Sequence, residues 1–530
     1  MKFVCLSCGN ETDLPTSTQP AKFYDVNRRM VLGFRLFGAG RHAQERFCSV
    51  LNMPPTLSRD AFGLHRSKIH SAVMDEAKAE FQRAALELQT LHQETGEASE
   101  LVDVQVSGDG TWMRRGYSSL YGCFFIISEE TGCVLDFIVL SKYCKACEYW
   151  SKKDQTSDEY MEWKQKHDSQ CDINFDKSAK AMEAEGILQL FSRSVEERGL
   201  RYTSLISDGD SASYRAVLEA KPYGEGVEVT KKECMGHIQK RMGTALRNLV
   251  VAYKNQVVNG RKGIGGRGRL TLKVIDSIQN YYGQAIRSNL HDLPGAKQAV
   301  QAILLHMSST DAKPNHQLCP KGSDSWCGWQ RDVANGTSAY RHKQKIPESL
   351  VKILQPTFDR LSQDDVLKTA VEGLTQNANE ALHQLVWDRC PKQGFAGRST
   401  VETAAGLAAL EFNRGARSLC GVMSRLGVPA GKHSKHAFAC HDQERIYHAE
   451  IKHREKRKKR RRKLRAIRKG LLVQQENEEP ATYEPGGFIG AELVSSTLKT
   501  SSASKPRRAP MCRKCQKPMK GHRRGVDCTT

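Results

Sequence analysis

Two aspartates close apolar, strand-like runs in this chain: Asp109 in VDVQVSGDGTW and Asp208 in TSLISDGD. A carboxylate at a strand end can hold a divalent cation against a phosphate, and Gly108 and Gly110 on either side of Asp109 would leave room for the ion. Sites of this kind need a third carboxylate, from a helix packed across the strand ends. Glu380, in QNANEALHQLVW, is the candidate, because Leu382, Leu385 and Val386 give its helix an apolar face for a sheet. Such a set would hold Mg²⁺ or Mn²⁺ ions roughly 3.5–4 Å apart, one activating a nucleophile and one stabilising the leaving oxygen. Taken singly, each aspartate also reads as an ordinary turn residue. Asp103 and Asp210 are the rivals, but one opens its strand and the other lies past its end.

The cysteines point to a second kind of chemistry. Seventeen cysteines without a secretory leader suggest a reducing compartment, where clustered thiols bind metal rather than pair as disulfides. Cys144, Cys147, His167 and Cys171 have the spacing of a tetrahedral Zn²⁺ site, which would pin a charged segment, 142–176, with too little apolar content to fold alone. Cys512, Cys515, His522 and Cys528 form a second full set in a short basic segment at the C-terminus, read as a CCHC zinc knuckle. His306, His316, Cys319 and Cys327 are more loosely spaced, and Trp326 and Trp329 among them favour a packed turn over a metal site. Cys5 and Cys8 have no evident partners.

These groups must be positioned by a chain long enough for several folded units. Residues 1–100 read as a cysteine pair followed by helices, the clearest from Arg66 to Leu91, a region that would bind DNA or brace the next domain. From Val102 three consecutive antiparallel strands are expected, then a helix from Ser178 to about Arg198, the strand ending at Asp208, and a strand–loop–helix around VEVTKKECMGHIQKRM. That order is the one found in RNase H-like folds, an α/β mixed sheet. The expected division is 101–260 for the first part of this core, 261–370 for a helical insertion, and 371–430 for the returning helix, continuing from near Asn377 to about Arg425. A basic linker follows at 431–510, with the knuckle at 511–530.

Lysine and arginine total 81 against 59 acidic residues, a net charge of +22, which favours a polyanionic partner through counterion release. Part of that surplus lies in one run that includes Arg457, Lys458, Lys459, Arg460, Arg461, Arg462 and Lys463, read first as a nuclear localisation signal, and otherwise as a DNA clamp or only a solvated helix face. No stretch has the apolar length to span a bilayer. The glycine-rich GIGGRGR lacks the strand that precedes a dinucleotide fingerprint and reads as a flexible loop touching DNA, or as a linker.

The ordered motifs DGTW, SDGD, CMGH (Cys234 to His237) and NANEALHQLVW with PKQGF resemble those of the Mutator-like DDE transposases, over roughly residues 20–425. The resemblance implies an RNase H-like core that uses Mg²⁺ or Mn²⁺ to cut transposon ends and join them to target DNA. It assigns catalysis to Asp109, Asp208 and Glu380 and a supporting role to Cys234 and His237. Those last two also read as a buried thiol and a helix-capping histidine. The implied partners are double-stranded terminal repeats, target DNA and further copies of the chain, in the nucleus. A domesticated DNA-binding protein without catalysis is the main alternative, and a nuclease acting on RNA or in repair is a third.

Overall fold

The computed structural model describes residues 2–13, 17, 23–54, 57–94, 101–113, 119–207, 212–323, 325–342, 346–392 and 396–453. The chain divides into two compact units, Met1–Arg445 and Ile446–Thr530. Strands β1 (Lys2–Val4) and β2 (Glu11–Asp13) pair as a hairpin whose turn carries Cys5 and Cys8. Helices α1 (Asp25–Leu36), α2 (Arg41–Val50) and α3 (Arg59–Glu94) follow. The third runs 36 residues, longer than its apolar run alone suggested, because the buried stripe of Ile69, Val73, Ala77, Phe81, Ala84 and Leu88 extends backwards through His65 and Phe62.

The sheet starts with β3 (Val102–Trp112), β4 (Tyr121–Ser128) and β5 (Val134–Ser141), paired antiparallel in sequence as expected. Short helices α4 (Lys145–Trp150) and α5 (Asp158–His167) lead to α6 (Ala181–Ser192) and α7 (Ser194–Arg198). The single helix expected here is broken at Arg193, whose guanidinium donates two bonds of 2.8 and 2.9 Å to Asp136 on β5. Strand β6 (Leu200–Ser207), α8 (Ala212–Ala220) and β7 (Thr230–Glu233) complete it. The strand order is β5-β4-β3-β6-β7, with β6 parallel to both β3 and β7, and Ser107 in register with Ile206. The architecture is therefore mixed α/β.

Period-two alternation sends β4 side chains to two cores. Phe124 and Ile126 pack with Met182, Ile187, Leu190 and Phe191 under α6. Cys123, Phe125 and Ile127 pack on the opposite face with residues of α3 and of two later helices, α15 (Asn377–Arg389) and α16 (Arg398–Arg414). The glycines beside Asp109 serve the first of these cores and do not clear a metal pocket, because strand neighbours point away from Asp109. A Cβ at 108 would meet Leu205 Cδ1 at 2.8 Å, and one at 110 would meet Phe124 Cε1 at 2.4 Å. Gly122 and Gly186 close on the same phenyl ring, with Cβ positions 2.7 and 2.4 Å from it. Gly186→Ala should consequently lower the melting temperature. Overpacking against this fully buried ring costs about 1–3 kcal/mol, against about 1 kcal/mol gained in helix propensity. A rise in melting temperature would show that α6 can shift away.

Beyond β7 lie α9 (Met235–Ala252), the two-residue strands β8 (Val257–Val258) and β9 (Arg261–Lys262), and α10 (Leu272–Arg287), α11 (Leu293–Ser308), α12 (Gly328–Ala334), α13 (Glu348–Leu361) and α14 (Asp364–Ala370). Helices α9, α10, α11, α13 and α14 share a core of their own that includes Met242, Ile278, Tyr282, Ile303, Leu354 and Phe358. The glycine-rich segment is anchored to it: Ile264 and Leu270 are buried, and the buried Arg269 guanidinium donates to the carbonyls of Val258 and Gly263. The returning helix is interrupted near Pro391, giving α15 and α16 and then α17 (Leu419–Arg425). The expected basic linker instead begins with the 22-residue α18 (Lys432–His453). No helix among the described residues is long and apolar enough to cross a membrane.

Candidate functional site

Asp109 lies near the end of β3, with its side chain 24% exposed. Its Oδ1 accepts the Gly110 N–H at 2.9 Å, and its Oδ2 is 3.9 Å from His383 Nδ1. Three side-chain bonds lay α15 along this strand. Gln376 Nε2 donates to the Gly108 carbonyl at 3.1 Å, Ser107 Oγ to Asn379 Oδ1 at 2.7 Å, and Trp387 Nε1 to Thr111 Oγ1 at 2.8 Å. Leu382 and Val386 of α15 are fully buried in the core beneath it and Leu385 partly so, as the apolar pattern required. Glu380 sits in the first turn of α15, exposed, one helical turn from His383.

Strand β6 ends at Ser207, and Asp208, like Asp210, lies outside the described residues. The Ser207 carbonyl accepts the Cys234 N–H at 3.3 Å, and Cys234 Sγ accepts the Gln376 N–H at 3.4 Å. The Met235 N–H bonds the Leu374 carbonyl at 2.9 Å. Cys234 is thus a buried joint between the end of β6, the start of α9 and the start of α15. Among the described residues, Cys234 and His237 belong to no cluster of three metal ligands. Asp103, the rival on β3, is paired with Arg201 at 2.6 Å.

Three buried polar atoms on consecutive turns around Glu380 have no hydrogen-bond partner among the described residues: Gln376 Oε1, Asn379 Nδ2 and His383 Nε2. A buried polar atom left unpaired costs about 1–3 kcal/mol, so three together make this stretch of α15 an unusually costly one. Desolvation lowers the His383 pKa to about 4, helped by Lys392, which keeps the imidazole neutral at physiological pH. Sequence reasoning missed His383, Asn379 and Gln376. The available signal was their spacing of three and four around Glu380, which puts them on one side of a helix.

Cys144, Cys147, His167 and Cys171 come together as the spacing predicted, their ligand atoms within 4.8 Å of one another. His167 Nε2 is 3.4 Å from Cys144 Sγ and 3.2 Å from Cys147 Sγ, and Cys147 Sγ is 3.5 Å from Cys171 Sγ. Trp163 stacks on His167 and on Trp150. Neither α4 nor α5 buries a residue, so apolar packing does little to hold this segment. His306, His316, Cys319 and Cys327 also converge within 4.8 Å, against the expectation of a packed turn alone. The tryptophans that suggested packing do pack, onto the histidines: Trp329 stacks on His316 and Trp326 meets His306 edge-on. Cys5 and Cys8 join no such cluster among the described residues. Cys512, Cys515, His522, Cys528 and the basic run from Arg457 to Lys463 lie outside the described residues.

A family model described as Mutator-like transposase matches residues 1–327. No curated protein and no solved structure matches the chain. The matched span takes in Asp109, Asp208, Cys234, His237 and both described Cys/His clusters, and it ends before Glu380. With more than half of its length covered and the motifs of the sheet in place, the chain belongs to the Mutator-like transposase family.

Proposed function

We propose that the protein is a metal-dependent DDE transposase in which Asp109, Asp208 and Glu380 hold Mg²⁺ or Mn²⁺ against the scissile phosphate of a transposon end. The observation that carries this reading is the bonding of α15 to both strand ends. Gln376 reaches Gly108, the residue before Asp109, and meets Cys234, which is bonded to Ser207, the residue before Asp208. Strand order and pairing support an RNase H-like core. Bound cations would activate water and then a terminal 3′-hydroxyl for in-line attack and take up charge on the leaving oxygen. The protein's part is positional: β3 presents Asp109, β6 ends at Ser207 directly before Asp208, α15 brings Glu380, and a neutral His383 packs behind Asp109. The +22 charge favours a duplex partner. The basic run fits nuclear import, and the cutting of two ends together fits a homo-oligomer.

The Cys144, Cys147, His167 and Cys171 set fits structural Zn²⁺, since four protein ligands leave no open position for chemistry. Cys147→Ser should release one zinc per chain by elemental analysis and change tryptophan fluorescence as the Trp150–Trp163 stack opens. Unchanged metal content would rule the assignment out.

The function is tested by incubating the full chain with a labelled duplex bearing the element's terminal repeat, with Mg²⁺ or Mn²⁺ and with EDTA. Metal-dependent nicking or strand transfer is expected. Binding without any cutting would favour the domesticated DNA-binding alternative.

A further inference from the structure

We infer that the helical insertion is built around its own structural zinc ion, held by His306, His316, Cys319 and Cys327 and oriented by an outer chain running through His342 to Asp311. The inference stands independently of the catalytic reading, since it needs neither Asp109 nor DNA.

The four donors have the dimensions of an ion's first shell. With zinc–sulfur bonds of about 2.3 Å and zinc–nitrogen bonds of about 2.0 Å at the tetrahedral angle, each sulfur-to-nitrogen edge should span about 3.5 Å. Cys327 Sγ is 3.4 Å from His316 Nδ1 and 3.6 Å from His306 Nδ1, and Cys319 Sγ is 3.7 Å from each. Both histidines turn the same ring nitrogen inward. Two imidazoles and two thiolates give a neutral complex with Zn²⁺, suited to the largely buried site formed here.

The protons beyond the first shell fall into one consistent arrangement. A metal on His316 Nδ1 requires the hydrogen on Nε2, which must then donate. His342 Nε2 lies 2.7 Å away as the acceptor, so its own hydrogen sits on Nδ1, 2.6 Å from Asp311 Oδ1. The Asp311 carboxylate also takes the His342 N–H at 2.9 Å. A carboxylate that fixes a histidine, which in turn fixes a ligand histidine, is the outer-shell pattern that sets ligand tautomer and orientation.

Among its described residues the segment has little apolar packing to hold it. His306 comes from the last turn of α11, Cys327 caps α12, and His316 and Cys319 lie on the loop between. The satellite core there consists of Ala302 and the two ligand cysteines, with Leu318 and Trp329 packed at its edge. So little apolar area contributes little to ordering a polar loop, and a metal cross-link would add the missing constraint.

The test uses the full chain purified without chelator. Elemental analysis should find one zinc fewer per chain in the Cys319→Ser, Cys327→Ser double variant than in wild type. His342→Gln should keep the wild-type zinc count yet hold that ion about 10–100-fold more weakly in competition with a chelator. Should the double variant prove insoluble, wild type decides by alkylation with N-ethylmaleimide and peptide mapping. Cys319 and Cys327 should resist labelling until EDTA is added and then react. An unchanged zinc count in the double variant, or labelling of both cysteines at the same rate before and after chelation, would overturn the inference.

Discussion

Asp109→Asn is expected to lower metal-dependent cleavage by about a thousandfold or more while leaving duplex affinity nearly unchanged. A metal ligand contributes several kcal/mol of charge stabilisation, and each 1.36 kcal/mol is tenfold in rate, so losing one puts the effect on the order of 10³. The amide is close in shape, and its oxygen still accepts the Gly110 N–H bond, so fold loss does not confound the result. Glu380→Gln, an exposed change in the first turn of α15, should behave alike. Single-turnover cleavage in Mn²⁺ reads both. Activity within tenfold of wild type for either variant would remove that residue from the metal site.

Asp136→Ala should lower the stability of the folded unit by about 3–5 kcal/mol, the cost of removing one partner from a buried ion pair. Asp136 is 3% exposed and is bonded by Arg193, with Arg198 Nη2 at 3.3 Å and itself almost fully buried. Arg193 joins the end of α6 to β5, and Arg198 Nε donates to the Leu135 carbonyl at 3.0 Å, so the loss would leave a guanidinium charge stranded under the sheet. Urea denaturation followed by circular dichroism measures this. A loss below about 1 kcal/mol would mean that both arginines reach water when the carboxylate is gone.

Much of the core could be read in advance because its signals are local. Continuous apolar runs made β4 and β5 unmistakable, and Asp109 was visible because a charged residue interrupts an apolar strand. The first cysteine cluster was legible through its short pairs. The insertion's cluster was not, because His306 belongs to a helix and its partners to a loop, so convergence depends on packing and not on spacing. Gly108 and Gly110 were misread for a similar reason. Their neighbours across the sheet, Leu205 and Phe124, are distant in sequence or belong to another strand, and only the three-dimensional contact shows which face the missing side chains serve. Arg269 looked like part of a loose basic loop because sequence gives no hint that two backbone carbonyls would capture it.

The bonds that dock α15 bridge extreme separations: 268 positions from Gln376 to Gly108 and 272 from Asn379 to Ser107. At synthesis rates of roughly 5–20 residues per second, β3 leaves the ribosome on the order of tens of seconds before the helix that covers it. Through that interval the Gly108 carbonyl and the Ser107 hydroxyl wait for partners while the intervening helices are made. A nascent chain therefore presents Asp109 before it has Glu380, and a chain cut short inside the insertion would never acquire it; on the proposed chemistry neither would have a means of cutting.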